Sequence, residues 1–102
     1  MTNIDTIREH LGQEELLVQL AEEAAELGKA ALKLRRTYSD INPTPIGSQE
    51  AFANLMEELA DVYTCLHILG YGTCENLMQV HQIAVAKQAR WARRLEEAHK
   101  NR

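Results

Sequence analysis

Both prolines of this 102-residue chain stand two positions apart, at Pro43 and Pro45, inside the stretch from Ser39 to Ser48. With Asn42 before them and Gly47 after, they forbid a regular helix there. Proline lacks a backbone donor, and its ring collides with the preceding turn. A second, shorter break falls at Gly70-Tyr71-Gly72-Thr73, and a milder one at Leu11-Gly12. The segments between these breaks are long. They are rich in Ala, Leu, Glu, Gln, Lys and Arg, which have the best helix propensity.

Their apolar residues recur every three or four positions, the helical period. From about Gln13 to Tyr38 the repeat is Leu16, Leu20, Ala24, Leu27, Ala31 and Leu34. From about Gln49 to Leu69 it is Phe52, Leu55, Met56, Leu59, Val62, Tyr63, Leu66 and Leu69, with Ser48 as the expected N-cap. A third helix is expected from about Cys74 to Ala98, capped by Thr73, and a short one near Ile4 to His10. The expected fold is all-α: an antiparallel bundle of three long helices plus a short N-terminal helix, one domain over residues 1–102 with the loop at 39–48. A monomer of this size buries a modest share of its surface, so oligomerisation is expected to complete the bundle. One Phe, one Trp and three Tyr argue against a β-sandwich or barrel.

Charge and cysteine content narrow the function classes. A formal net charge of -4 argues against nucleic acid as the main partner, since phosphate backbones favour a basic surface. The charge is uneven: Lys87, Arg90, Arg93, Arg94, Lys100 and Arg102 crowd the C-terminal segment. Cys65 and Cys74 lack a CxxC or zinc spacing and read as small buried hydrophobes in a reducing compartment. The first residues are polar, and no apolar run of about 18 residues occurs. The expectation is a cytoplasmic protein with no membrane partner.

The chemistry lies in two acidic turns, Glu22-Glu23-Ala24-Ala25-Glu26 and Glu57-Glu58-Leu59-Ala60-Asp61. Residues three apart project from the same side of a helix, so Glu23 pairs with Glu26 and Glu58 with Asp61. At about 100° per residue, Glu23 falls within about 20° of Leu16 and Leu34. Glu26 lies at the edge of that stripe, and Glu22 and Glu57 turn outward. Glu58 falls between Val62 and Cys65, and Asp61 is flanked by Cys65 and Ile68. One such pair alone is an ordinary solvated helix face. Two pairs, both aimed toward core, are not. Burying an unpaired carboxylate costs several kcal/mol, and crowding four adds repulsion. A hard divalent cation, Mg²⁺ with Mn²⁺ able to substitute, would compensate, using carboxylate oxygens and retained waters. The absence of His and Cys from the cluster argues against zinc.

Glu22-Glu23-x-x-Glu26 followed by Glu58-x-x-Asp61 resembles the signature of the MazG-like all-α nucleoside triphosphate pyrophosphohydrolases. The flanking QLAEEAAELGKAALK and LMEELADVYTCLHIL match in style, and the likeness spans roughly residues 13–95. The separation between the halves is long, because the Pro-containing loop intervenes. The resemblance implies Glu23, Glu26, Glu58 and Asp61 as metal ligands, with Glu22 in a weaker supporting role. It also implies assembly as a homodimer or homotetramer.

In the third helix, Leu77, Ala84, Trp91 and Ala98 share one heptad position, and Val80, Lys87 and Arg94 the other seam position. Lys87 and Arg94 thus stand where core residues belong, with Arg90 beside them. One account is that their stems cover apolar surface while the heads reach water. The sharper reading has Lys87, with Arg90 or Arg94, gripping phosphate. Trp91 could stack on a base, though a lone Trp at helical spacing is more often core. His67 and His81 read as structural, and Tyr63 and Tyr71 are ambiguous. The expected activity is Mg²⁺-dependent conversion of a nucleoside triphosphate to monophosphate and pyrophosphate. The alternatives are a phosphoribosyl-ATP pyrophosphatase-like enzyme and a non-catalytic helical interaction protein.

Overall fold

The structure, a computed structural model, describes residues 1–39 and 46–101. Most of the loop expected at 39–48 lies outside them. The described residues form four helices and no strand: α1 (Asn3–His10), α2 (Gln13–Arg36), α3 (Ser48–Ile68) and α4 (Cys74–Lys100). The all-α class is as expected, and the helix ends fall within two residues of those read from the sequence. The chain divides into two compact units, Met1–Gly70 and Tyr71–Arg102. No helix among the described residues is long and apolar enough to cross a membrane.

Local chemistry accounts for the helix ends. At the start of α1, Thr2 and Asp5 form a reciprocal capping box. The Asp5 backbone N–H donates to Thr2 Oγ1 at 3.1 Å, and the Thr2 backbone N–H donates to Asp5 Oδ2 at 3.1 Å. The Thr2 backbone N–H, and then the Thr2 hydroxyl, which donates to Asp5 Oδ2 at 2.8 Å, hold the Asp5 carboxyl below its usual range. α2 carries Glu14 and Glu15 in its first turn and Lys33, Arg35 and Arg36 in its last, each matched to the helix dipole. Ser48 is not the cap of α3. Gly47, with extended φ and ψ of -79° and 168°, occupies that position, and Ser48 is the first helical residue. Thr73 caps α4 as expected, accepting from the Asn76 backbone N–H at 3.3 Å.

The C-terminus of α3 is closed from two directions. Gly70 has φ +82°, the left-handed conformation that ends a helix without Cβ strain. From α1, Arg8 donates to two of the last carbonyls, Nε to Ile68 O at 2.9 Å and Nη2 to His67 O at 3.2 Å. These bonds satisfy acceptors the helix cannot pair itself.

Within the first unit α2 packs along α3, and α1 meets α3. The buried residues are Leu16, Ala30, Ala51, Cys65 and Ile68. The apolar sector of α3 is wider than one neighbouring helix covers. Ala51, Leu55, Val62, Cys65, Ile68 and Leu69 are buried or half-buried, whereas Phe52, Met56, Leu59 and Tyr63 on the adjoining flank are exposed. On α2, Ala30 is buried where the periodicity pointed to Ala31. In the second unit α4 has no buried residue, since one helix cannot enclose its own side chains. Trp91 is therefore exposed rather than core, and Cys74, at the first position of α4, is exposed while Cys65 is buried.

Candidate metal centre

Glu23 of α2 meets Glu58 and Asp61 of α3. Further along α2, Ala30 and Lys33 share a groove with Ala51 and Asn54, nearer the start of α3. The two helices therefore run antiparallel, and their acidic turns face one another. Glu23, Glu58 and Asp61 each offer one carboxylate oxygen, and the three oxygens lie within 4.8 Å of one another. Glu23 and Glu58 are half-buried and Asp61 is exposed.

Gln19, one turn before Glu23, donates from Nε2 to Glu23 Oε1 at 2.7 Å. That bond fixes one oxygen and orients the carboxylate, as outer residues around metal ligands do. The Glu58 carboxyl is pushed above its ordinary value of 4.5, first by desolvation and then by the negative charges of Asp61, Glu23, Glu26 and Glu57. The Cys65 thiol is pushed up as well, by burial first and then by Glu23 and Asp61. A thiol held protonated is a poor nucleophile and a poor ligand.

Not every acid expected at the site is there. Glu26 stands outside the group of three; its Oε1 lies 3.4 Å from Lys29 Nζ, an exposed pair at a loose distance. Glu22 and Glu57 face solvent, as their angular positions required. Lys87, Arg90, Trp91 and Arg94 all stand on α4, in the second unit, where Arg90 and Arg94 share an open surface with Arg93 and Glu97. Tyr63 stacks on His67 with ring planes 2° apart, and both are exposed.

Several residues of the site region were not singled out from the sequence. Gln19 has a local signal, the i,i+4 spacing to Glu23. Lys29, Lys33 and Asn54 line a cleft of about 160 Å³ between α2 and α3, together with Glu26, Glu57 and Glu58. No sequence spacing announces them, because the cleft exists only where two helices meet.

Three converging carboxylates, one of them pre-oriented, make a donor set of the hard-oxygen kind that Mg²⁺ or Mn²⁺ accepts. Glu23, Glu58 and Asp61 could hold such an ion. Compared with models of known protein families, with curated proteins and with solved structures, the chain matches none.

Proposed function

We propose that the α2–α3 pair carries a Mg²⁺-dependent centre that converts a nucleoside triphosphate to the monophosphate and pyrophosphate, the activity of the MazG-like enzymes whose acidic signature the sequence resembles. The observation that carries this reading is the approach of Glu23, Glu58 and Asp61 to within 4.8 Å across two helices. Like charges at that spacing repel, and the Glu58 carboxyl is raised first by desolvation and then by the charges of Asp61, Glu23, Glu26 and Glu57.

In this reading Glu23, Glu58 and Asp61 hold the ion and Gln19 keeps Glu23 aimed at it. When bound, the ion neutralises phosphate oxygens and lowers the pKa of a coordinated water. Glu26, three residues beyond Glu23 on α2, is the fourth ligand that the resemblance adds, and to serve as one it would have to leave Lys29. Glu22 faces water and can assist only from outside. On α4, in the second unit, Lys87 with Arg90 or Arg94 remain the phosphate donors that the resemblance suggests, and Trp91 is exposed there with a face on which a base can stack. The exposed flank of Phe52, Met56, Leu59 and Tyr63 supports a bundle completed by further helices, including those of a second copy.

The test is pyrophosphate release across a panel of ribo- and deoxyribonucleoside triphosphates with phosphoribosyl-ATP alongside, in Mg²⁺. The expected result is release from at least one triphosphate, abolished by Glu58→Gln. Turnover of phosphoribosyl-ATP alone would move the assignment to that enzyme. No turnover, together with no Mg²⁺ binding by calorimetry, would leave a helical interaction protein and end the enzymatic reading.

A further inference from the structure

The cleft beside the acidic group contains cations that no step above uses. Its floor is Ala30 and Ala51, 7% and 2% exposed, whose methyl groups leave open a space that larger side chains would fill. Lys29, Lys33 and Asn54 line its walls, and Glu26 and Glu58 join it to the group of three acids. Among the described residues Lys33 has no ion pair and Asn54 no side-chain hydrogen bond, while Lys29 makes only the loose contact with Glu26. Apart from the long Lys29–Glu26 contact, the donors around this small space are not engaged by the carboxylates that line it with them.

We propose that this cleft seats the pyrophosphate end of the substrate, with Lys29, Lys33 and Asn54 as its donors, and that it accepts the anion only when a divalent cation occupies the adjoining carboxylates. This rests on the metal-dependent reading above and adds to it where the leaving group sits. Size selects the ligand portion. About 160 Å³ falls below the roughly 300 Å³ at which pockets begin to take whole organic ligands, so it holds a phosphate end and not a base with its sugar. Position agrees: at about 1.5 Å per residue, Lys29 stands about 9 Å and Lys33 about 15 Å along α2 from Glu23. The two long side chains can therefore follow an anion leading away from the ion. Lys presents a compact charge with three donors, and the Asn amide adds two more.

Charge sets the order of binding. Glu26, Glu57 and Glu58 outnumber the two lysines around the cleft, so the bare cleft repels an anion. A divalent ion held by Glu58 and its neighbours offsets part of that negative charge and itself attracts phosphate oxygens. Pyrophosphate should then be a metal-dependent product inhibitor.

The probe is inorganic pyrophosphate, titrated by calorimetry into the full chain with Mg²⁺ and again with a chelator. The expected result is binding with Mg²⁺ and none without it. Lys29→Gln/Lys33→Gln should weaken pyrophosphate by at least about tenfold, with Mg²⁺ affinity unchanged or tighter, and Lys33→Arg should retain it. Both lysines are exposed, so the substitutions spare the core, and far-UV circular dichroism checks that the helices persist. Wild-type pyrophosphate affinity in the double variant, equal binding without Mg²⁺, or weakened Mg²⁺ binding in the lysine variants would each overturn the proposal while the metal centre stands. Absence of Mg²⁺ binding in the wild-type chain would sink both readings together.

Discussion

The acidic turns of α2 and α3 are written in nearly the same letters, yet they end in different surroundings. On α3 both members of the spaced pair, Glu58 and Asp61, enter the group of three. On α2 only Glu23 does, while Glu26 turns to Lys29. Three residues beyond Glu26 stands a cation; three beyond Asp61 stands Thr64, whose hydroxyl donates to Ala60 O at 2.7 Å and offers no charge. Spacing puts two carboxylates on one side of a helix. The neighbouring charge, and the part of the helix that faces its partner, decide which of them meets a third.

The largest expected effect tests that asymmetry. Glu58→Gln or Asp61→Asn should lower Mg²⁺ affinity and turnover by more than about a hundredfold with helical circular dichroism intact, because each removes a direct ligand. Glu26→Gln should cost clearly less. Equal losses would mean that Glu26 abandons Lys29 when the ion arrives and that the two turns are equivalent in the working enzyme. Next in size, Gln19→Leu should weaken Mg²⁺ by about tenfold by freeing the Glu23 carboxylate, an effect read by calorimetry. An unchanged affinity would remove orientation of Glu23 from the account.

Acidity separates Glu58 from Asp5. The folded-state value of Glu58 is raised, so its relative stabilising contribution is full below the ordinary 4.5 and is lost as pH rises through the raised value. Thermal melts without metal should show that loss, and Mg²⁺ or Glu58→Gln should remove it. Mg²⁺ affinity should conversely fall as pH drops into the same window. Asp5 runs the other way: its value is lowered, so the capping box contributes above the unfolded value and is lost as pH falls through the folded one. Helicity of α1 should decline only in that more acidic range. The smallest effect concerns the end of α3 remote from its Gly47 cap. Arg8→Ala should destabilise the first unit by about 1 to 2 kcal/mol in denaturant titration, since the Ile68 carbonyl loses its donor and the His67 carbonyl is left with the Gly70 backbone N–H. Hydrogen exchange localised to the last turn of α3 would tie the loss to that clasp.

Much of the fold is legible in the chain. Pro43, Pro45, Gly70 and Gly12 punctuate it, and backbone rules act locally, so helix existence and limits follow from neighbours in sequence. Glu23 and Glu58 are legible for a related reason: each lies inside an apolar sector where a carboxylate is out of place. Ser48 shows where local reading slips, because serine favours the cap but Gly47 takes the extended conformation ahead of it. The exposed flank of α3 shows another slip. Periodicity marks every apolar position alike and does not say which side a neighbour covers. Arg8 carries no sequence signal, since its acceptors are backbone carbonyls about sixty residues away.

Composition and spacing alone determined that the described chain is helical and that Glu23 and Glu58 fall within the apolar sectors of two helices, because turn geometry repeats every 3.6 residues whatever surrounds it. Tertiary structure decided which three of those acids approach one another, that Glu26 answers to Lys29 instead, and that Ala30 and Ala51 leave a cleft lined by Lys33 and Asn54. The physical reason is that these are relations between helices. They depend on how far one helix slides and turns against the other, and no repeat within either helix encodes that.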